Sequence, residues 1–161
     1  MALDPSILYN ALLKLSTTDK PPDPFTAASR IASAYREYAA AGQSLGFPLG
    51  LPGPGVAAMD GALGLAFSAL PGIPPVVAAG YAAMLTAFWT GAIFTALPFP
   101  GVAAPPPGLI VLVPAVSTLL LIPNPAEVHA LTVSTALHVA TMTTLVTFPQ
   151  PSGPPLVGPV V

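Results

Sequence analysis

The sequence predicts a mainly α-helical protein: a bundle of about five hydrophobic helices with proline-rich connectors, a short C-terminal strand and an extended tail. Two observations support this fold class. Hydrophobic residues make up 53% of the 161 positions and charged residues only 6%, so the chain can fill a core but has little charge for a water-facing surface. The 23 prolines fall largely in clusters between apolar runs, and because proline ends helices these clusters divide the chain into elements.

The N-terminal segment, residues 1–42, is predicted to form an amphipathic helical hairpin. Asp4 and Asp23 each precede a proline, the pair of residue types expected at the N-cap and first position of a helix. Apolar residues then recur at helical spacing over 4–15 and 24–41. Eight of the ten charged side chains lie in this segment, so it is the part of the chain that we expect to face water. Helices lying on a membrane surface are the alternative, but the cations are few for that role.

The longest apolar run, residues 75–97, has no charged side chain and lies between two prolines. As one helix it would be roughly 34 Å long, enough to cross a bilayer core of about 30 Å. Small residues recur four apart at Ala79, Ala83 and Ala87, a spacing that allows close helix packing in membranes and in soluble bundles. Trp89 lies near the middle of the run, not at an end where interfacial aromatic residues concentrate, and this favours protein surroundings over lipid.

The rest of the hydrophobic body, which spans 43–148, starts with a Gly/Pro/Leu linker and is predicted to hold further helices. Residues 108–122 are ambiguous, because their first half is rich in β-branched residues and Pro114 interrupts them. A helix entered through Pro114, after an extended lead-in, is the preferred interpretation. A helix is expected at 55–70, with Asp60 in its first turns, where the helix dipole favours a carboxylate. Another is expected at 125–140, with Asn124, Pro125 and Glu127 at N-cap, N1 and N3.

The C-terminal part of the chain changes pattern. Side chains alternate from Ala140 to Phe148 among residues of good β propensity, which predicts a short strand. Residues 149–161 are rich in proline and glycine and are predicted to be an extended, polyproline-like arm that lies against partner chains. Proline-terminated apolar runs recur along the chain, but their lengths and side chains differ too much to predict a repeat protein.

No motif in the sequence indicates catalysis, a cofactor or a metal. His129 and His138 are nine residues apart, so on one helix they lie on opposite faces and cannot chelate one ion, and the chain has no cysteine. Phosphate-binding loops, dinucleotide fingerprints, nucleophile elbows and paired carboxylates are absent from the sequence. The net charge of −2 provides no basic stripe for nucleic acid. We expect a protein that is not an enzyme, with no catalytic, cofactor-binding or metal-binding residues.

Two hypotheses account for the apolar surface. A small multi-pass membrane protein with a cytoplasmic N-terminus explains the hydropathy, but it predicts cations in cytoplasmic loops, and all four cations precede residue 37. The preferred hypothesis is a homo-oligomer or an association with other structural subunits, whose interfaces bury such a surface. Mainly aromatic side chains would anchor these interfaces, together with residues of the tail: Tyr35, Tyr38, Phe88, Trp89, Phe94, Phe148, Leu156 and Val161.

A resemblance favours the assembly hypothesis. The succession of SRIASAYREYAAAG, TAFWTGAIFTALPFPG and STALHVATMTTLVTF, followed by a Gly/Pro tail, resembles small Ala/Gly/Pro-rich virion proteins of tailed phages and related contractile particles. The resemblance implies a non-enzymatic structural subunit of a tail, baseplate or capsid, located in the virion or particle and assembled in the cytoplasm. The N-terminal MALDPSILYNALLKL has no signal-peptide pattern, which predicts use without export. A membrane location is the alternative.

Overall fold

The computed structural model describes residues 3–69 and 73–161, and within them pairs of helices alternate with pairs of strands. The prediction of a helical bundle with one short strand is wrong, because the connectors after each helix pair form a sheet. The helices are α1 (Pro5–Thr17), α2 (Pro24–Ala39), α3 (Met59–Ser68, entered through a 3-10 turn at Pro54–Ala58), α4 (Pro74–Trp89), α5 (Leu109–Leu120) and α6 (Ala126–Met142). The strands are β1 (Gln43–Ser44), β2 (Phe47–Leu51), β3 (Ile93–Phe94), β4 (Gly101–Ala103), β5 (Leu145–Phe148) and β6 (Leu156–Pro159).

The strands of the described chain form one antiparallel meander in the order β1 to β6. Its two edges also meet. The amide of Gln43 donates to the carbonyl oxygen of Val161 at 3.0 Å, and the amide of Val161 donates to the carbonyl oxygen of Gln43 at 2.8 Å. Ser44 Oγ donates to the carbonyl oxygen of Gly158 at 3.1 Å. The sheet therefore comes close to closing as a small barrel, which pairs backbone groups that an open edge would expose.

The helices form a closed ring in the same way. Within each pair the two helices pack on each other, and between pairs α2 packs on α3, α4 on α5 and α6 on α1. The chain is thus built from three units of about 50 residues, each with two helices and two strands, and each contacts both others. We call them repeat 1 (5–51), repeat 2 (54–103) and repeat 3 (109–161). The prediction that the chain is not a repeat protein is wrong.

Equivalent positions play the same part in the three repeats. One backbone hydrogen bond recurs within each hairpin: the amides of Leu49, Ala103 and Val160 donate to the carbonyl oxygens of Gly42, Ala92 and Thr144 at 2.9, 2.8 and 3.0 Å, respectively. Burial recurs as well, in the first helices, the second helices and the first strands. The buried sets are Leu8, Met59 and Leu112; Ala28, Ala78 and Ala130; and Ser44, Phe94 and Val146.

The repeats share burial, but apart from the three alanines the side chains at these equivalent positions differ. At the ends of the second helices the equivalent residues are Ala39, Trp89 and Thr141, and all three are fully buried. The two small side chains leave room for the one indole, so a single volume in the core is divided unequally among the repeats. This division hides the repeat from the sequence, because no residue type recurs at the position.

The N-caps predicted for the first two helices are confirmed. The carboxylate of Asp4 accepts a hydrogen bond from the amide of Ser6, and that of Asp23 accepts one from the amide of Thr26, each at 2.9 Å. Hydrogen bonds from the same two residues hold the pKa of each aspartate below its usual value. Both helices then begin at a proline, as the sequence predicts.

Local predictions for the last two helices are partly wrong. The helix α5 starts at Leu109, with Pro114 inside it, so residues 109–113 are helical and not an extended lead-in. In α6 the N-cap position is occupied by Pro125, which has no capping side chain. The side-chain Nδ2 of Asn124 instead donates to the carbonyl oxygens of Leu119 and Ile122 and so fixes the loop between the two helices.

The helix predicted over 75–97 ends early. It stops at Trp89, and Gly91, at a φ of +76°, turns the chain into β3. Glycine adopts this left-handed conformation without strain. Two of the small residues predicted to pack closely, Ala79 and Ala83, are exposed. Along residues 3–69 and 73–161, no helix combines the length and apolar character needed to span a membrane.

The C-terminal segment belongs to this chain's own fold. The strand predicted before residue 149 is present as β5, and β6 pairs with it, so residues 149–161 are not a free arm. Val160 is fully buried in the same core that holds Leu8 of the N-terminal segment and Leu85 of the body. The predicted linker after residue 42 is likewise structured, because it forms the hairpin of β1 and β2.

Candidate interaction surface

A buried chain of hydrogen bonds joins the three repeats. Trp89 Nε1 of repeat 2 donates to the hydroxyl of Tyr35 in repeat 1 at 2.7 Å. The hydroxyls of Tyr35 and Thr141, the latter in repeat 3, are 2.6 Å apart. Thr141 donates its own proton to the carbonyl oxygen of Leu137 at 2.8 Å, so it accepts from Tyr35. Burial raises the pKa of Tyr35, and the network therefore stays neutral and structural.

Six of the eight residues predicted as interface anchors lie in the core. Tyr35, Trp89 and Phe94 are fully buried, Trp89 stacks on Phe94, and none of the six has a side chain more than 3% exposed. The other three of these six are Tyr38, Phe88 and Phe148. All six therefore stabilise this fold and do not offer a surface to a partner. Only Leu156 and Val161 are exposed, at 52% and 45%.

The histidines contribute to packing. His138 Nδ1 lies 2.7 Å from the hydroxyl of Tyr38, and His129 lies partly buried elsewhere on α6. Burial lowers the pKa of both histidines and raises the pKa of Tyr38, so the imidazole of His138 and the phenol of Tyr38 share a hydrogen bond as neutral groups. Among the residues that the structure describes, no cluster of three or more His, Asp or Glu could hold a metal ion.

Most of the ionised groups are on repeat 1. Arg30 pairs with Asp19 at 2.7 Å, and Arg36 pairs with Asp60. The sequence places Asp60 correctly in the first turn of α3, where the helix dipole favours a carboxylate, but it does not predict the arginine partner on α2. Ser29 Oγ also donates to this carboxylate at 3.0 Å. The contacts to Asp60 join repeat 1 to repeat 2, whereas the Arg30–Asp19 pair lies within repeat 1.

The outer grooves of repeats 1 and 3 differ in charge. Between α1 and α2 a groove is lined by Ala11, Leu15 and the charged Lys14, Asp19 and Arg30. The groove between α5 and α6 has a volume of about 360 Å³ and no charged group in its lining. Its side chains include Val111, Leu131 and Val139, which are 58%, 59% and 44% exposed. Repeat 3 thus presents an apolar face where repeat 1 presents charges.

The second apolar surface is at the tips of the three hairpins. In a meander whose helices connect β2 to β3 and β4 to β5, the turns of all three hairpins lie at the same end of the barrel. Side chains from all three line one cavity of about 170 Å³, and the rings of Phe47 and Phe148 are 5.3 Å apart there. We call residues 45–47, 95–100 and 149–157 the hairpin end.

Exposed apolar side chains cover the hairpin end, and no Asp, Glu, Lys or Arg occurs in it. Leu97 is 98% exposed, and each hairpin contributes at least one large apolar side chain. The set is Leu45, Phe47, Leu97, Phe99, Leu156 and Val157, with exposures of 48%, 38%, 98%, 41%, 52% and 52%.

Sequence reasoning missed most of this surface. Of the predicted interface anchors only Leu156 belongs to the hairpin end. Most of the others are aromatic residues of predicted helices, and residues 45–47 and 98–100 were assigned to connectors. The available signal was the recurrence of uncharged Phe/Pro-rich segments after each second helix, around Phe47, Phe99 and Phe148, at a spacing of about 50 residues. Comparisons with protein-family models, with curated proteins and with solved structures gave no match.

Proposed function

We propose that this chain is a non-enzymatic structural subunit of a large symmetric protein assembly, of the kind found in phage virions and in tail or baseplate-like particles. The observation that supports it is the uncharged, apolar exterior of repeat 3 and the hairpin end. Exposed apolar patches of this extent in soluble proteins mark surfaces that partners cover. Copies of this chain, other structural subunits, or both would bind these surfaces.

The charge distribution gives the subunit two sides. Repeat 1 bears Lys14, Asp19, Arg30 and Glu37 and is suited to contact with water. Repeat 3 has Glu127 as its one acidic side chain and no Lys or Arg, and its helices expose residues such as Ile110 and Leu121 at 80% and 69%. A subunit seated at a boundary, with one face solvated and the other covered by protein, would have this asymmetry.

A pair of double variants tests the proposal. V111K/V139E adds one cation and one anion to the apolar groove of repeat 3, at side chains that are already exposed. Thr17→Lys with Ser33→Glu adds the same two charges to exposed positions on repeat 1. Both variants should fold. V111K/V139E should reduce incorporation into the particle by at least about tenfold, because burying charge against an apolar partner costs more than about 1.4 kcal/mol.

The measurement is the fraction of each variant that sediments with particles when the neighbouring structural genes are expressed with it. The repeat 1 variant should sediment like the parent. Expressed alone, the parent should self-associate, and V111K/V139E should do so less. A parent chain that sediments with no particle, or that is recovered from membranes as a stable helical protein in detergent, would contradict the proposed function.

A further inference from the structure

We propose that the hairpin end seats on the end of a threefold-symmetric protein partner, with one copy of this chain on each partner trimer. The inference rests on the proposed function and names the partner that covers one end of the subunit. It follows from the repeat architecture together with the apolar character of the hairpin end.

The three repeats place similar contacts around one ring. Each hairpin brings an exposed apolar side chain to the hairpin end, and we call these three positions its tips: Leu45 in the first turn, Phe99 in the second loop and Leu156 at the start of β6. The shared cavity beneath these tips shows that the hairpins converge at one site. A closed trimer presents the same surface three times around its axis, so each tip can meet an equivalent patch. In a twofold dimer with a second copy of this chain, the three tips could not all meet equivalent patches.

Charge and area define the partner surface. Because the hairpin end has no ionised side chain, a charged partner surface would lose its solvation there without compensation, so the complementary surface is apolar and uncharged. At roughly 180 Å² for each fully exposed large side chain, the six exposed fractions amount to on the order of 600 Å² of apolar surface, and the loop prolines add to it. A standard interface buries about 800 Å² on each partner. The hairpin end is therefore large enough to hold one partner.

The loops that connect the hairpin strands differ in length, so the three hairpins are not identical at this end of the barrel. The first loop is the tight turn at Leu45 and Gly46, whereas the third extends from Pro149 to Pro155. The three contacts are consequently similar and not identical. Once a single copy of this chain is bound, the three sides of the partner's threefold-symmetric end are no longer equivalent.

Photo-crosslinking from three equivalent positions tests the proposal. A photoreactive phenylalanine analogue is placed singly at Leu45, Phe99 or Leu156 in the cells that make the particle, and the crosslinked peptides are identified by mass spectrometry. All three positions should crosslink to the same polypeptide, within the same short segment of it. The same analogue at Ser33, exposed on α2, serves as the control and should not reach that segment.

The outcomes separate the inference from the proposed function. Crosslinks from the three tips to different polypeptides, to different segments of one polypeptide, or to a second copy of this chain would overturn the threefold partner. Crosslinks in the particle from Val139 on α6, with none from the tips, would also overturn it while supporting a structural subunit. A chain that crosslinks to no other protein from any position, and is absent from particles, would reject both.

Discussion

Replacing Val160 by aspartate should unfold the protein, whereas the same replacement at the adjacent Val161 should leave it folded. Val160 is fully buried in the hydrophobic core, and its amide donates to the carbonyl oxygen of Thr144 across the last hairpin. An unpaired carboxylate there costs several kcal/mol, which is a large part of the about 5–15 kcal/mol that stabilises a typical domain. Val161 is 45% exposed, so an aspartate at that position can remain in water.

Urea unfolding followed by circular dichroism measures the difference. V161D should unfold cooperatively with a free energy of unfolding within about 1 kcal/mol of the parent, since exposed substitutions change stability little. V160D should show no native baseline, or a free energy of unfolding lower by at least about 3 kcal/mol. Equal transition midpoints for the two variants would show that the C-terminal residues do not complete the barrel.

Replacing Trp89 by alanine should lower the free energy of unfolding by about 3–5 kcal/mol, the range for removing a buried aromatic side chain. The indole is fully buried, packs edge-on against Phe88 with 4.8 Å between ring centroids and stacks on Phe94. The substitution also removes the hydrogen bond to Tyr35 that ties repeat 2 to repeat 1. The small side chains at the equivalent positions of the other repeats, Ala39 and Thr141, cannot fill the volume that the indole leaves.

Phe99→Ala is the matched control, because Phe99 is an aromatic residue of the same repeat but is 41% exposed. It should cost less than about 1 kcal/mol in the isolated protein. Since Trp89 is the only tryptophan in the chain, both variants are compared by circular dichroism and not by fluorescence. A W89A variant no less stable than F99A would contradict a core shared by the three repeats.

The helices could be predicted from the sequence because their signals are local. An aspartate followed by proline marks the starts of α1 and α2, and apolar spacing gives their buried faces. The sequence also placed Asp60 and the C-terminal alternation of β5 correctly. In each case the sequence signal lies within a few residues of the feature that it predicts.

The sheet could not be predicted because its stabilising contacts are distant and its strands are short. β2 contains Pro48 and Gly50, residues that local propensity assigns to loops, and β1 and β3 have two residues each. The bonds that bring the barrel close to closure join Gln43 to Val161. No local pattern specifies such a pairing.

The aromatic residues were assigned to an interface because the chain has so little charge. The ring of three repeats buries Tyr35, Phe88 and Trp89 within one chain and leaves outside mainly aliphatic residues and prolines, with phenylalanines such as Phe47 and Phe99. The surface that remains for partners was therefore underestimated at the hairpin end and in repeat 3. Sequence composition indicated that a partner surface exists, but its position depends on the closure of the ring.

Closure of the ring between its first and last repeats is tested most directly by hydrogen exchange at the amides of Gln43 and Val161, measured by NMR on the isolated V111K/V139E variant to limit self-association. Both amides donate across the closing pair, at 3.0 and 2.8 Å. They should exchange far more slowly than the amide of Leu97, which lies in an exposed loop. Exchange of Gln43 and Val161 as fast as that of Leu97 would show an open sheet and contradict the threefold ring.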